Sequence, residues 1–523
     1  MESKRQEWEG KRQKARMERQ KWVGAARGFL LFACYLLPFA LPSPAQAAPD
    51  AQKVYSEHCA SCHGVDRLGG TGPALLPENL ERLRRPEAIK TIAQGRPASQ
   101  MAGFADKLSK EEIEALVGLV YTRLPRTPVW GADEIITSHL QHVSSASLPD
   151  KPSFSADPMN LFVVVEVGDH HATILDGDKL EPIHRFPTRF ALHGGPKFSP
   201  DGRFVYFASR DGWVSKFDIY NLKTVAEVRA GINTRNLAVS GDGKTVLVGN
   251  YLPHTLVLLD AADLSLLKVI PTTGLDGKSS RVSAVYQAEP RGSFVAALKD
   301  TKEVWEISYR SADYPVRRIA VEDYLDDFFF DQAYKNLIGT ARDSHKGQVL
   351  DLDSGKTVAQ LELPGMPHLG SGITWEYRGR PVMATPNMKD GVVSVIDMQS
   401  WKTIKEVKTL GPGFFMRSHE NTRYAWTDGF ATGSPASRDV MHLIDKETLE
   451  IAHVLRPEPG KTAAHVEFTR DGKYALVSIW EMDGALAIYD TATLKEVKRI
   501  PMKKPSGKYN VYNKTTRSAG TSH

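Results

Sequence analysis

A turn followed by a short apolar strand recurs along the last two thirds of this 523-residue chain, and it restricts the fold more than any other feature. The turn at residues 199–203 reads Ser-Pro-Asp-Gly-Arg, and similar Asp-Gly turns stand at 240–244 and 469–473. Strands bounded by such turns, with almost no helical periodicity, indicate an all-β fold. A repeat of about 40–45 residues is the period of a four-stranded propeller blade. Residues 156–523 are therefore predicted to form an eight-bladed β-propeller, because about 360 residues supply eight such blades.

The first 47 residues are predicted to be a signal peptide. Several Lys and Arg residues precede an apolar run at 28–41, and Ala45-Gln46-Ala47 follows as a small-x-small cleavage site. An uncleaved membrane anchor is the alternative, but the run is short and interrupted by Pro38, whereas a full span needs about 20 apolar residues. We therefore expect export to the periplasm without a stable membrane span. Much of the net charge of +5 lies in this leader, and no basic-aromatic patch downstream indicates a nucleic-acid partner.

The cysteines predict a covalently bound cofactor. Cys34 is expected to leave with the signal peptide, and the other two cysteines stand in the sequence Cys-Ala-Ser-Cys-His at 59–63. An exported protein could use two cysteines as a disulfide. However, Cys-x-x-Cys followed at once by His is the attachment signature of a c-type haem. Cys59 and Cys62 are expected to bind the haem vinyl groups, and His63 is expected to bind the iron.

A small all-α cytochrome c domain is predicted at residues 48–124. Helices are expected at 52–58 and 110–121, and Met101 lies between them as the predicted sixth iron ligand. Thioether ligation raises the potential of a haem, which suits an electron acceptor. A core methionine is the alternative interpretation of Met101, with an unplaced histidine as the ligand. Residues 125–155 are rich in Pro, Ser and Thr and are predicted to be a linker.

From about residue 52 to residue 514, the chain resembles the cytochrome cd1 nitrite reductases and their relatives, the dihydro-haem d1 dehydrogenases. The motifs that carry the resemblance are Asn160-Leu161-Phe162, Ala191-Leu192-His193, Ser209-Arg210-Asp211-Gly212, Thr234-Arg235, Pro367-His368, Ser418-His419 and the tail Gly-Lys-Tyr-Asn-Val-Tyr-Asn at 507–513. The tail is the most specific of them. The resemblance implies one covalent haem c, and a haem d1 or dihydro-haem d1 held without covalent attachment on the propeller axis.

Three residues match positions that hold the d1 macrocycle in these families. His193 matches the proximal ligand of the d1 iron, and a neutral imidazole suits that role. Arg210 and Arg235 match positions that bind the d1 carboxylates, for which a guanidinium offers a planar fork. A buried core histidine and blade-turn salt bridges are the plain alternatives for these three residues.

Two departures from the nitrite reductase pattern bear on the chemistry. His368 matches one of the two distal histidines that bind and protonate nitrite, but Asp326 stands where the second is expected. Ser371 replaces an arginine expected three residues after His368. A carboxylate repels the nitrite anion and removes a proton donor, so both changes oppose nitrite reduction.

The segment at 413–420 resembles the dehydrogenase version of its strand. His419 is the predicted base, and a structural role for it in a blade is the alternative. Arg417 is expected to bind a substrate carboxylate, with His368 or Asp326 close to the base. Other histidines, including His465, have no motif context and are treated as ordinary.

The resemblance therefore implies an oxidoreductase that converts a propionate of dihydro-haem d1 to an acrylate during haem d1 biosynthesis and passes the electrons to haem c. The alternatives are a nitrite reductase that forms nitric oxide, and a non-catalytic carrier of haem d1 or its electrons. The expected partners are dihydro-haem d1 as substrate and a periplasmic electron acceptor. A nitrite reductase that receives haem d1 is a further candidate partner.

Overall fold

A computed structural model describes residues 49–70, 72–81, 83–95, 101–126, 128–192, 195–340 and 346–516. The predicted signal peptide and its cleavage site lie outside these residues. From Asp50 onward the chain forms one compact unit. No helix in the described ranges combines the length and apolar character needed to cross a bilayer.

The N-terminal part of this unit is helical, as expected. Its helices are α1 Ala51–His58, α2 Ala60–His63, α3 Pro77–Leu80, α4 Arg85–Gln94 and α5 Lys110–Val120. The Asp50 carboxylate caps α1 by accepting N–H bonds from Gln52 and Lys53. Ser109 and Glu112 form a capping box at the start of α5. The apolar faces of α1 and α5 pack together around Tyr55, Ile113, Leu116 and Val120, which gives the small domain its core.

The segment predicted as a linker carries structure of its own. It contains the helix α6 Ala132–Thr137 and the short strand β1 Leu140–Gln141. Ile135 is buried in a propeller core cluster, and Trp130 packs against the same cluster. The Pro- and Ser-rich composition gave no periodicity to reveal this, because the segment follows the surface of a blade and is ordered by its contacts with that blade.

Eight antiparallel sheets, one per blade, make up the described part of the remaining chain. Blades 1 and 2 comprise β2 Leu161–Glu166, β3 His171–Asp176, β4 Glu181–Pro187, β5 Lys197–Phe198, β6 Phe204–Ala208, β7 Trp213–Asp218 and β8 Lys223–Arg229. Blades 3 and 4 comprise β9 Asn233–Val239, β10 Thr245–Leu252, β11 Thr255–Asp260, β12 Leu266–Pro271, β13 Val282–Ala288, β14 Ser293–Leu298, β15 Glu303–Ser308 and β16 Val316–Ala320. Blades 5 and 6 comprise β17 Asp327–Phe330, β18 Asn336–Thr340, β19 Lys346–Asp351, β20 Lys356–Glu362, β21 Ile373–Tyr377, β22 Arg380–Pro386, β23 Val392–Asp397 and β24 Lys402–Lys408. Blades 7 and 8 comprise β25 Met416–Arg417, β26 Tyr424–Asp428, β27 Met441–Asp445, β28 Ile451–Leu455, β29 Ala463–Phe468, β30 Tyr474–Ile479, β31 Gly484–Asp490 and β32 Glu496–Met502. The predicted eight-bladed propeller is confirmed.

The C-terminal tail closes the ring. Its strand β33 Pro505–Asn510 pairs with β2 and becomes the innermost strand of blade 1, and the helix α7 Val511–Thr515 follows. The register pairs Phe162 with Asn510, and the Asn510 side chain donates to Asn160. The tail therefore joins the last residues of the propeller to its first strand and completes the four strands of blade 1.

The inner strands begin at the mouth that faces the cytochrome c domain. Asn233, the first residue of β9, donates from Nδ2 to the carbonyl of Glu78 at 2.7 Å. Asn79 donates from Nδ2 to the carbonyl of Ile232 at 3.0 Å. Arg229 reaches the carbonyl of Leu68 in the loop that follows the Cys-x-x-Cys-His sequence. The small domain thus contacts blades 2 and 3 at the end of the propeller where the inner strands begin.

Candidate functional site

The Cys-x-x-Cys-His sequence lies at the junction of α1 and α2. Cys59 ends α1 and Cys62 lies within α2, and both thiols are free. The apolar core of the small domain packs against Cys59 and Ala60. One turn of helix therefore presents both thiols and His63 together, as covalent attachment of a haem requires.

The ring of His63 is oriented for a metal. Its Nδ1 lies 2.8 Å from the carbonyl oxygen of Pro73, and because a carbonyl only accepts, Nδ1 carries the proton. This leaves the Nε2 lone pair as the ligand atom, as is common for a histidine bound to a metal. Burial lowers the pKa of His63, which favours the neutral form. A Cβ at Gly72 would lie 2.8 Å from the His63 ring, so glycine allows this loop to lie against the imidazole. The donor set fits a c-type haem.

Met101 lies in the loop between α4 and α5, in the same small domain as His63. It is half-buried, and its carbonyl lies close beneath Gly95, where a Cβ would come within 2.6 Å of it. The loop is thus tightly folded on the end of α4. The sixth-ligand role of Met101 stays a prediction.

A second cluster lies on the propeller axis, where all eight blades contribute polar or charged side chains. Its described members are Lys197, Arg235, Tyr286, Asp327, His368, Arg417, His465, Lys508 and Tyr509. Tyr286, Asp327 and His368 form one side of it. Tyr286 donates its hydroxyl to Asp327 Oδ1 at 3.0 Å, and Asp327 Oδ2 lies 3.9 Å from His368 Nε2.

The His368 ring has a defined orientation. Its Nδ1 donates to the carbonyl of Phe414 at 2.6 Å, so Nε2 faces Asp327 with its lone pair. Burial lowers the pKa of His368, although Asp327 opposes that shift. A neutral His368 can accept a proton at Nε2. Ser371, which replaces the expected arginine, is buried and donates its N–H to the carbonyl of His368.

The carboxylate beside His368 is Asp327, and not Asp326 as the sequence comparison indicated. Asp326 forms an ion pair with Lys299, and its N–H bonds to the carbonyl of Thr340. Successive residues of an extended strand point to opposite faces, so an error of one position in the sequence match exchanges the carboxylate that faces the channel for its neighbour. The structure therefore has a carboxylate beside His368, as expected, but this carboxylate belongs to Asp327 and not to Asp326.

His465 is the most constrained residue of the axial cluster. It occupies a β-bulge in β29 with a φ of 48°, a left-handed conformation that is unusual for a histidine. Asp428 Oδ2 accepts its N–H at 3.1 Å, and the ammonium of Lys508 donates to its carbonyl. The backbone of His465 is thus held from both sides by buried charges.

The ring of His465, in contrast, has no hydrogen-bond partner at either nitrogen among the described residues, although the side chain is completely buried. It lies 4.8 Å from the ring of Phe415 and 5.3 Å from that of Tyr509, between ring centroids. Burial lowers the pKa of His465 well below its usual value, and the nearby Lys508, Arg417 and Lys514 lower it further. A strained, over-determined backbone that carries an unpaired imidazole is typical of a functional residue.

Arg417 makes this part of the channel strongly cationic. Its guanidinium donates to the carbonyl of Met416, but Nε has no partner in the described part of the chain. The side chain is 3% exposed. Burial lowers the pKa of Arg417, and Glu467 is the largest opposing charge. Buried cations with incomplete pairing are suited to bind the carboxylates of a ligand.

Aromatic side chains form a wall beside these groups. Phe414 lies 4.2 Å from His368 and 4.6 Å from Phe415, and Phe430 stacks against Phe415 at 6.2 Å, between ring centroids. Asp428 accepts the N–H groups of Phe414 and Phe415, so one carboxylate orders both the wall and His465. An aromatic wall beside cations suits a flat macrocycle that carries carboxylates.

The structure does not bring His419 to this cluster. His419 is completely buried in the turn after β25, where the N–H of Asn421 donates to its Nδ1 at 3.1 Å. Its Nε2 donates to the carbonyl of Arg470 at 3.1 Å. Both ring nitrogens are used by the backbone, so no lone pair is left to accept a proton. The prediction that His419 is the base is replaced by the structural interpretation of this residue.

The three residues expected to hold the macrocycle fall in different places. His193 lies outside the described residues. Arg235 is part of the cluster, where its Nε donates to the carbonyl of Ser283 at 2.9 Å. Arg210 lies in the turn between β6 and β7, at the mouth beneath the cytochrome c domain, and Asn79 reaches its carbonyl. Their roles toward a macrocycle stay predictions.

Sequence reasoning missed His465, Tyr286 and Lys197, since none of them stands in a recognisable motif. Tyr509 was noticed only as part of the tail. The signal for His465 lies in three dimensions: its strand is interrupted by a bulge, and its charged neighbours Asp428 and Lys508 come from other strands.

Comparisons with known proteins bear on both clusters. Residues 156–514 match the family described as cytochrome D1 heme domain, and residues 46–120 match the family described as cytochrome C oxidase, cbb3-type, subunit III. A dihydro-heme d1 dehydrogenase from Pseudomonas aeruginosa is 60% identical over 96% of this chain and 99% of its own length. A nitrite reductase from Stutzerimonas stutzeri is 25% identical over 94% of this chain and 97% of its own length. A solved structure titled dihydro-heme d1 dehydrogenase NirN in complex with DHE superimposes with a TM-score of 0.87 at 61% identity. It covers 89% of this chain and 99% of that chain.

Proposed function

This chain belongs to the cytochrome cd1 family, and from that premise we propose that it oxidises dihydro-haem d1 to haem d1 in the periplasm. The reaction converts a propionate side chain to an acrylate, and it releases two protons and two electrons. The domain at 48–124 binds haem c, the segment at 125–155 connects it to the propeller, and the propeller at 156–523 binds the substrate. The electrons pass singly through haem c to a periplasmic acceptor, and a nitrite reductase is a candidate recipient of the product.

The observation that carries the proposal is the buried His465 ring without hydrogen bonds, held beside Tyr509 and a set of cations. In the absence of substrate, the cations keep this imidazole neutral. The carboxylates of a bound tetrapyrrole offset those cations, which raises the basicity of His465 only in the complex. His465 is therefore suited to accept a proton from the propionate side chain, in place of His419.

A second acceptor is needed because the side chain loses two hydrogens. His368 presents its Nε2 lone pair beside Asp327 and the aromatic wall, which makes it the candidate for this role. Arg417 and Lys197 are suited to bind substrate carboxylates, with Arg235 and Arg210 nearer the cytochrome c mouth. His193 is the proposed ligand of the d1 iron. Haem c, held by Cys59, Cys62, His63 and Met101, supplies one-electron acceptance.

The alternatives receive less support from the same residues. A nitrite reductase needs an electropositive pocket that donates protons, but the group beside His368 is the carboxylate Asp327. A carrier needs no buried imidazole with both nitrogens free of partners, and such a group costs stability when it is left unpaired. These arguments favour the dehydrogenase over both alternatives.

The test mixes oxidised, haem c-loaded protein, in at least twofold molar excess so that two haems accept the two electrons, with dihydro-haem d1 under anaerobic conditions. It follows the haem c spectrum and the extracted pigment. The wild-type protein is expected to reduce its haem c and to yield haem d1. His465→Gln keeps the side-chain volume but lowers the rate by about 10²–10⁴-fold, with pigment binding retained. The exposed His453→Ala is the matched control and should leave the rate unchanged. Pigment that binds but is not converted by the wild-type protein would refute the proposal in favour of a carrier, and turnover of nitrite with bound haem d1 would favour a reductase.

A further inference from the structure

The propeller axis has a second mouth, remote from the cytochrome c domain. A cavity of about 560 Å³ lies there, among the turns that follow the inner strands β5, β9 and β17. Exposed side chains at its rim, among them Pro200, Glu289 and Gln332, bring it to solvent. The cytochrome c domain contacts the propeller at the opposite end, beside Ile232 and Asn233. A molecule that enters this cavity therefore approaches the axial cluster from the side away from haem c.

The side chains between the axial cluster and the cavity are polar. Tyr286 and Tyr509 line the cavity and also contact Asp327 and His465, respectively. Lys197 lines it too, with its ammonium 5.7 Å from the Tyr286 ring centroid. The same ionisable side chains therefore lie between the proposed substrate site and the cavity and contact both.

Lys514 and Glu467 form the deepest part of this layer. Lys514 lines the cavity, and its Nζ lies 3.9 Å from Glu467 Oε2 and 5.8 Å from the Tyr509 ring centroid. Glu467 Oε2 has no hydrogen-bond partner among the described residues, although the residue is fully buried. A buried carboxylate oxygen without a partner is costly, and a water molecule from an adjoining cavity would satisfy it.

The proposed reaction requires a route for protons. On the proposed function, –CH₂–CH₂–COO⁻ becomes –CH=CH–COO⁻, two protons go to bases in the axial cluster, and two electrons go one at a time through haem c to an external one-electron acceptor. His465 is 0% exposed and lies among Lys508, Arg417 and Lys514, which disfavour its charged form. A proton taken up there must leave before the next cycle, and the cavity lined by Tyr509 and Lys514 adjoins the cluster and opens to solvent.

We propose that the cavity remote from the cytochrome c domain is the proton exit, and that Tyr509, Glu467 and Lys514 carry protons from His465 to water in it. Electrons and protons then leave through opposite ends of the propeller axis. The His465 and Tyr509 rings lie 5.3 Å apart between centroids, and the Lys514 ammonium lies 5.8 Å from the Tyr509 centroid, so the three side chains adjoin one another. The inference rests on the proposed function, because it assigns the protons that this reaction releases.

The decisive variant is Lys514→Arg. Arginine keeps the positive charge beside Glu467, but it does not release a proton at any accessible pH, whereas lysine does. Oxidised, haem c-loaded protein, in at least twofold molar excess so that two haems accept the two electrons, is mixed with dihydro-haem d1 in weakly buffered solution that contains an indicator dye. Haem c reduction and proton release are followed together. The wild-type protein should release two protons per pigment converted. Lys514→Arg should bind the pigment as the wild type does, release protons about tenfold more slowly or worse, and recover when a small amine such as methylamine is added.

Three results would overturn the proposal. The first is proton release by Lys514→Arg at the wild-type rate. The second is a loss of pigment affinity in this variant, which would make Lys514 a carboxylate-binding residue. The third comes from acetylation of haem c-loaded protein before pigment is added, with labelled lysines mapped by mass spectrometry. The acetylating reagent should reach Lys514 and Lys197 through the cavity, and it should not label the fully buried Lys508. If Lys514 is as well protected from acetylation as Lys508, a water-filled route is contradicted. Failure of the wild-type protein to convert pigment at all would instead refute the proposed function.

Discussion

The two proposed tetrapyrrole sites of this protein are built in opposite ways. The haem c site lies within one short stretch of chain, where Cys59, Cys62 and His63 occupy a single helical turn and Pro73 orients the imidazole. The axial site takes its groups from strands that are far apart in sequence, so that His368, Arg417 and His465 each belong to a different blade. A site attached by covalent bonds can be specified locally, whereas a site that holds its ligand only by contacts needs the whole ring of blades to surround it.

The largest effect of substitution is expected at the haem c site, because a single short segment of the chain specifies it. Replacement of both thiols in Cys59→Ala/Cys62→Ala should abolish covalent haem attachment, because no other free cysteine lies in the described residues. Haem staining after denaturing electrophoresis measures the loss. Pigment binding to the propeller should remain, since the axial cluster is built on other elements. Ser61→Ala, between the two cysteines, is the matched control and should keep its haem; loss of pigment binding in the double variant would show that the two sites do not fold independently.

An intermediate effect is expected at the axial site, where several groups share the binding. Arg417→Met should weaken dihydro-haem d1 binding by about 10–100-fold, which is the loss of one charge-assisted interaction of about 1.5–3 kcal/mol. The pigment-free variant should unfold at the same or a higher temperature, because Arg417 is a buried charge with incomplete pairing. Titration of the pigment and thermal unfolding measure the two effects. Arg423→Met, at an exposed arginine that pairs with the buried Asp445, is the control for pigment affinity. Unchanged pigment affinity in Arg417→Met would remove Arg417 from the site.

The same contrast explains what could be predicted from the sequence. The blade period and the Asp-Gly turns are local repeats, so the propeller and its number of blades could be predicted, as could the helical domain and its Cys-x-x-Cys-His motif. Residues of the axial site could be predicted only where the sequence matches a motif of a related family, as at His368 and Arg417. His465 escaped because its importance depends on a bulge and on Asp428 and Lys508, which approach it only in the folded ring.

His419 was misassigned for a reason that the blades themselves reveal. In blade 8, Thr469 opens the turn after the inner strand, and its hydroxyl accepts the N–H of Tyr474. His419 opens the corresponding turn of blade 7, and its ring accepts the N–H of Asn421. Alignment of the blades with one another, rather than with a family pattern, would have placed His419 among the turn residues.

The smallest effect on catalysis is expected from substitution of His419. This substitution is therefore the sharpest test of whether His465, rather than His419, is the base. His419→Ala should leave the rate of pigment oxidation per folded molecule unchanged, in contrast to His465→Gln. It should lower the free energy of unfolding by about 2–4 kcal/mol, because two backbone hydrogen bonds and a buried ring are lost. Chemical denaturation and anaerobic turnover of the same preparation measure both quantities.

The pH dependence of the free energy of unfolding also distinguishes a structural His419 from a catalytic one. Burial lowers the pKa of His419 in the folded protein, so below pH 6.5 the unfolded chain binds a proton that the folded chain does not. The wild-type protein should therefore lose stability as the pH falls from 6.5 toward the folded pKa, by up to about 1.4 kcal/mol per pH unit from this residue. His419→Ala should show a pH profile that is shallower by that amount over the same interval. A turn residue whose two ring nitrogens are bound by the backbone cannot take part in proton transfer at the channel. A catalytic loss in His419→Ala as large as that in His465→Gln, measured at equal amounts of folded protein, would therefore restore His419 as the base.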